Sequence, residues 1–111
     1  MLPEIIDSVR GRAEVVLDGG ILRGSDVLKA IALGARAVAI GKLQGWGLAA
    51  AGQAGLLRVL EIIESEIVTT MGLLGITRLD QLTEAYLSKV QPLAPVHEMS
   101  AFPHMPGGQL L

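Results

Sequence analysis

Residues 14–40 place this chain among α/β proteins with parallel strands. The run from Val15 to Lys42, VVLDGGILRGSDVLKAIALGARAVAIGK, reads as strand, glycine-rich turn, helix, strand and a second glycine turn. Its second strand, Ala37-Val38-Ala39-Ile40, is apolar throughout, as expected where both faces of a parallel strand are covered. Half of the 111 residues are hydrophobic and 18% are charged, which suits elements buried within a larger α/β domain rather than a free-standing small one.

Taken in order, Leu2-Pro3-Glu4 opens a short helix, because proline is tolerated in a first turn. Ile5, Ile6 and Val9 form its apolar side and Gly11 closes it. Arg10 and Arg12 fall at its C-terminal end, where attraction to the helix dipole is sufficient reason for them. Glu14–Leu17 is the first strand, stopped by Asp18-Gly19-Gly20, whose glycines supply backbone conformations that other residues resist. Ser25 is the expected N-cap of a helix over Ser25–Leu33, with Asp26 complementing its dipole, Val27, Leu28 and Ile31 on one face, and Gly34 as terminator. Gly41 ends the second strand, Ala37–Ile40, and residues 14–40 thus form one βαβ unit.

Leu43–Gly55 carries Gly45, Gly47, Gly52 and Gly55, with room for a short helix over Leu48–Ala51. Trp46 is expected to pack against neighbouring structure rather than to stack on a ligand. Ala54–Leu74 is the longest predicted helix, with Leu56, Leu60, Ile63, Ile67, Met71 and Leu74 on one side. Glu61, Glu64 and Glu66 read as its solvated face, since no histidine stands at helical spacing to make them a metal site. Gly75 terminates it, Thr77 and Asp80 resemble a capping box for a turn at Arg78–Gln81, and Thr83 is placed to cap another through Ser88. Residues 91–111, rich in proline and glycine, form the expected disordered tail. His97 and His104 lie in it, and read as solvated side chains.

Ligands of parallel α/β sheets and barrels bind at the C-terminal ends of the strands. Gly19, Gly20 and Gly41 fall there, and singly each reads as a tight turn between strand and helix. Together, in register on adjacent strands, they offer several backbone N–H groups, and Arg23 and Lys42 add positive charge nearby. That combination suits a phosphate. A net charge of −2 gives no electrostatic reason to expect nucleic acid or an anionic membrane, and the absence of cysteine excludes disulfides and thiolate metal sites. No secretion signal and no apolar run of membrane length is read, so the expected location is the cytoplasm.

The run DGGILRGSDVLKAIALGARAVAIGK, followed by GWGLAAAGQAGLLRVLEIIESEIVTTMGLLG, resembles the C-terminal portion of the FMN-dependent α-hydroxy acid dehydrogenases and oxidases, the family of glycolate and lactate oxidases. The resemblance implies that residues 1–90 are the C-terminal part of a (β/α)8 TIM barrel, its last two βα units, incomplete on its own because such a barrel needs about 250 residues. It implies FMN as cofactor, with Asp18, Gly19, Gly20, Arg23, Gly41 and Lys42 around its phosphate, and a small 2-hydroxy acid as substrate of the complete enzyme. Against the family pattern Asp-Gly-Gly-x-Arg-Arg-Gly, Leu22 replaces the arginine that contacts FMN and Arg23 matches only its neighbour. Lys42 replaces an arginine, which keeps the charge and loses the bidentate fork. The family's His-Gly-Gly-Arg signature, which carries the acid–base histidine, does not occur in this sequence, so no catalytic residue is assigned.

The expected function is therefore oxidation of 2-hydroxy acids to 2-oxo acids by an FMN enzyme of which this chain carries the phosphate-binding part, with an oligomer or the missing barrel portion completing it. Three other readings compete: a non-catalytic truncated product, a small self-associating or partner-binding domain, and part of another phosphate-binding barrel enzyme.

Overall fold

The computed structural model describes residues 1–89. The predicted tail and both histidines lie outside the described residues. The order is α1 (Leu2–Val9), β1 (Val16–Asp18), α2 (Gly24–Ala32), β2 (Ala37–Ala39) and α3 (Gly41–Leu74), followed by short 3₁₀ turns at Leu79–Gln81 and Glu84–Tyr86.

The two strands pair in parallel, Val16 opposite Ala37, Leu17 opposite Val38 and Asp18 opposite Ala39. The pairing extends one step back, where the Arg36 amide donates to the Val15 carbonyl at 2.7 Å. Relative to the sequence reading, β1 is shifted by two residues at its start and includes Asp18, while β2 stops one residue short of Ile40. α1 ends as expected, with Arg10 and Gly11 in the left-handed region and the Arg12 guanidinium donating to the Val9 and Ser8 carbonyls at 3.0 and 2.9 Å.

α2 is apolar on two faces rather than one. Ala30 and Val27 turn to the strands, where they join Ile21, Ala35, Leu17 and Val38. Leu28, Ala32 and Ile31 face the other way, onto Ile67 and Met71 of α3 and onto Ile76 and Leu82 beyond it. The spacing that put Val27, Leu28 and Ile31 together could not separate these faces, because a helix sandwiched between two layers carries apolar residues nearly all round. Its N-cap is Arg23, not Ser25, and Asp26 closes the turn by accepting the Leu22 and Arg23 amides at 3.2 and 3.1 Å.

α3 is the largest departure. The predicted loop with a short helix at Leu48–Ala51 is helical from Gly41 onward, and α3 runs 34 residues with a break at Ala51 and Gly52, the latter at φ 57°. The two segments meet at glycines: a Cβ on Gly55 would fall 2.0 Å from the Gly47 carbonyl oxygen, and one on Gly47 would fall 2.9 Å from that of Gly55. The glycines that suggested a loop are therefore what allows a helical corner. Gly47 turns into that corner, and its neighbour Trp46 faces out and is 52% exposed among the described residues, which include no barrel rim for it to pack against.

By length and composition α3 is long and apolar enough to cross a membrane, which corrects the expectation that nothing here reaches that length. The break makes its first segment too short to span, and the second carries Arg58, Glu61, Glu64 and Glu66 and packs on α2. Beyond Gly75, which ends α3 at φ 71°, the turn at Leu79–Gln81 is closed by Gln81 instead of Asp80: its Oε1 accepts the Thr77 and Arg78 amides at 2.8 and 3.0 Å. Asp80 pairs with the Arg78 guanidinium.

Candidate phosphate site at the strand ends

Parallel pairing with Asp18 level with Ala39 brings both strands to their C-terminal ends together. From that edge β1 passes into Gly19 and Gly20, at φ 93° and 75°, and β2 passes through Ile40 alone into α3. Only glycine takes two successive positive-φ conformations at little cost. The second turn is not a loop, as the sequence suggested. Gly41 is the first residue of α3 and Lys42 the second, so this side of the site is a helix N-terminus, whose first amides have no intrahelical acceptor. Gly41 needs no unusual φ, and a Cβ there would meet nothing within 4 Å.

Of the predicted residues, the structure thus brings Asp18, Gly19 and Gly20 to the edge at which Gly41 and Lys42 begin α3. It takes Arg23 elsewhere. The Arg23 guanidinium reaches Glu66 on the far segment of α3, Nε donating to Oε1 at 2.8 Å and the adjacent nitrogen lying 2.7 Å from the same oxygen. The second carboxylate oxygen of Glu66 accepts the Gly24 amide at 2.7 Å. Glu66 is correspondingly held below the usual carboxylate range, first by the Arg23 hydrogen bond and then by that of Gly24. Arg23 is pushed up by the same partner.

The approach of the helices at this point is close. A Cβ on Gly24 would fall 2.6 Å from the Glu66 Cβ and 2.8 Å from the Ile63 carbonyl oxygen. Glu66 is therefore not part of a solvated face with Glu61 and Glu64. The only local hint of this was Gly24 directly after Arg23; the partner stands too far along the chain for spacing rules to find.

Positive φ at Gly19 and Gly20, a helix N-terminus and a lysine make a donor set that fits a phosphate dianion. Among the described residues no group of three or more His, Cys, Asp or Glu side chains is placed to hold a metal ion. An apolar cavity of about 330 Å³ opens between α2, the end of α3 and the last 3₁₀ turn, lined by Leu28, Leu33, Leu74, Leu82 and Tyr86 among others. None of the predicted site residues lines it.

The family described as FMN-dependent dehydrogenase matches residues 1–89. Among curated proteins, the L-lactate oxidase of Nostoc sp. is 48% identical over 86 residues, which cover 78% of this chain and 24% of that protein. The 2-hydroxyacid oxidase 1 of Homo sapiens is 46% identical over 94 residues, covering 85% and 25%. A solved mandelate oxidase mutant with the monooxide FMN adduct superposes with a TM-score of 0.69 at 49% identity, over 74% of this chain and 26% of that one. The chain spans about a quarter of the length of the curated relatives it matches.

Proposed function

Given that the chain belongs to the FMN-dependent dehydrogenase family, whose cofactor is FMN, we propose that it forms the FMN phosphate-binding part of an oxidoreductase converting 2-hydroxy acids to 2-oxo acids. The observation that carries this reading is the register of Asp18 with Ala39, which sets the Gly19-Gly20 turn and the start of α3 on one edge of the sheet. In this reading β1–α2 and β2–α3 are the last two βα units of a (β/α)8 barrel.

When bound, FMN supplies the redox chemistry. The residues of this chain bind and orient it: the amides after Gly19 and at the start of α3 donate to phosphate oxygens, Lys42 contributes charge, and Asp18 ends β1 beside them. Arg23 acts at one remove, through Glu66. The acid–base group toward the substrate comes from outside residues 1–89, since no histidine lies among them.

Exposed apolar residues on the described surface support completion by further barrel structure. Val16 on β1 is 59% exposed, and Val68 and Leu73 on α3 are 64% and 84% exposed.

Titration of the purified chain with FMN, followed by flavin fluorescence, tests the site. Lys42→Ala is expected to weaken binding, and His104→Ala to leave it unchanged. The reverse order would move the site to residues 91–111.

A further inference from the structure

Three amides at and just before the start of α2 are taken by carboxylates of the protein itself: Leu22 and Arg23 donate to Asp26, and Gly24 to Glu66. The two helix starts that follow the strands are therefore not equivalent. At that of α2 the Gly24 amide is already given to Glu66 and the two amides before it to Asp26, which leaves fewer donors for a second anion. That of α3 carries Lys42. A phosphate is directed to the Gly19-Gly20 turn and α3, away from α2.

Glu66 does more than fill a cap. It stands 42 residues from Gly24 and belongs to α3, the same helix whose first turn forms the other wall of the site. One carboxylate grips a backbone amide and a guanidinium at once, Oε2 on Gly24 and Oε1 on Arg23. Its charge is compensated by Arg23, so it adds no net repulsion near the phosphate. On the strand side the turn is anchored by the pairing of Asp18 with Ala39, and just beyond it by buried Ile21.

We propose that Glu66 is a positioning residue for the FMN phosphate: by clasping Arg23 and the Gly24 amide, it holds the Gly19-Gly20 turn at a set distance from the first turn of α3. The inference rests on the proposed function and adds to it a residue that touches neither cofactor nor substrate. Neither conservative replacement preserves the clasp. Glutamine presents an N–H₂ group to one of two donors, and aspartate is one methylene short.

The test compares Glu66→Ala, Arg23→Lys and Leu82→Ala in the full 111-residue chain. Leu82 is buried against α2 on the side away from the strands, so its truncation lowers stability without touching the turn. Two quantities are read at a temperature where all variants remain folded: amide hydrogen exchange at residues 19–24 against residues 37–39, and FMN affinity. Glu66→Ala is expected to speed exchange selectively at 19–24 and to weaken FMN about tenfold, as when the competent turn is populated a tenth of the time. Arg23→Lys, which leaves the Gly24 bond in place, is expected to lose less. Leu82→Ala is expected to speed exchange throughout and to bind FMN normally. Unchanged exchange and affinity in Glu66→Ala would overturn the inference and leave the proposed function standing, as would a loss in Leu82→Ala that matches it. An unaltered chain that binds no FMN overturns the proposed function and this inference with it.

Discussion

At the scale of single residues, charge count is a poor guide to what a charge does. Arg23 and Lys42 both flank the glycine turns in sequence, yet Arg23 is committed to Glu66 and Lys42 begins the helix that faces the site. The proposed phosphate site is thus one guanidinium poorer than its sequence suggests, and Leu22 stands where the resembling family has the arginine that contacts FMN. Leu22→Arg is expected to tighten FMN binding by about 1–3 kcal/mol through charge-assisted hydrogen bonds, read by titration. No gain would mean that residue 22 does not face the phosphate. The Glu66 clasp also makes stability depend on pH. Because the folded-state value of Glu66 is lowered, its contribution is fully present above the ordinary carboxylate value of 4.5 and is lost as pH falls through the lower, folded one. Urea midpoints should therefore fall on acidification below that point, and the fall should be shallower in Glu66→Gln. Equal slopes would show that Glu66 carries none of it.

At the scale of elements, the corner in α3 decides where both of its ends go. Its first segment starts at the strand edge, and its second lies along α2 and carries Glu66. The corner depends on two backbones touching. Gly55→Ala puts a methyl 2.0 Å from the Gly47 carbonyl oxygen, an obstacle that cannot rotate away. A loss of at least about 1–3 kcal/mol in unfolding free energy is expected, the typical cost of overpacking. Gly45→Ala is the contrast: nothing lies within 4 Å, and the helix gains about 0.5–1 kcal/mol from the lower backbone entropy of the unfolded chain. If both variants respond alike in chemical denaturation, the corner is not held by contact between the glycines.

At the scale of the whole molecule, the described residues leave much apolar surface without a partner. The sheet is two parallel strands with both edges open, and Val16, Leu57, Val68 and Leu73 are each more than half exposed. Sedimentation of the isolated chain is expected to show soluble oligomers that cover this surface, the form in which its binding and unfolding are read. A compact monomer with cooperative thermal unfolding would instead favour an independent binding module. The isolated chain is also expected to turn over no lactate, glycolate or mandelate above the rate of free FMN, because the proposed phosphate site without a substrate-side base would be half a catalytic centre.

Local rules reached far in this chain wherever a feature is decided within a few residues. The βαβ order, the positive-φ glycines at 19, 20, 34 and 75, and the place of Arg12 at the C-terminal end of α1 all follow from backbone freedom and helix-end chemistry, and the sequence alone determined them. Resemblance over the two long runs between Asp18 and Gly75 carried the family and its cofactor, because many positions must agree at once. Tertiary structure alone decided the rest. Glycine reads as a loop signal unless a second backbone lies against it, so only the contact of Gly47 with Gly55 could turn the stretch after Lys42 into a helical corner. A carboxylate on a helix reads as solvated unless another helix arrives, so only the packing of α2 on α3 could make Glu66 the partner of Arg23 and Gly24.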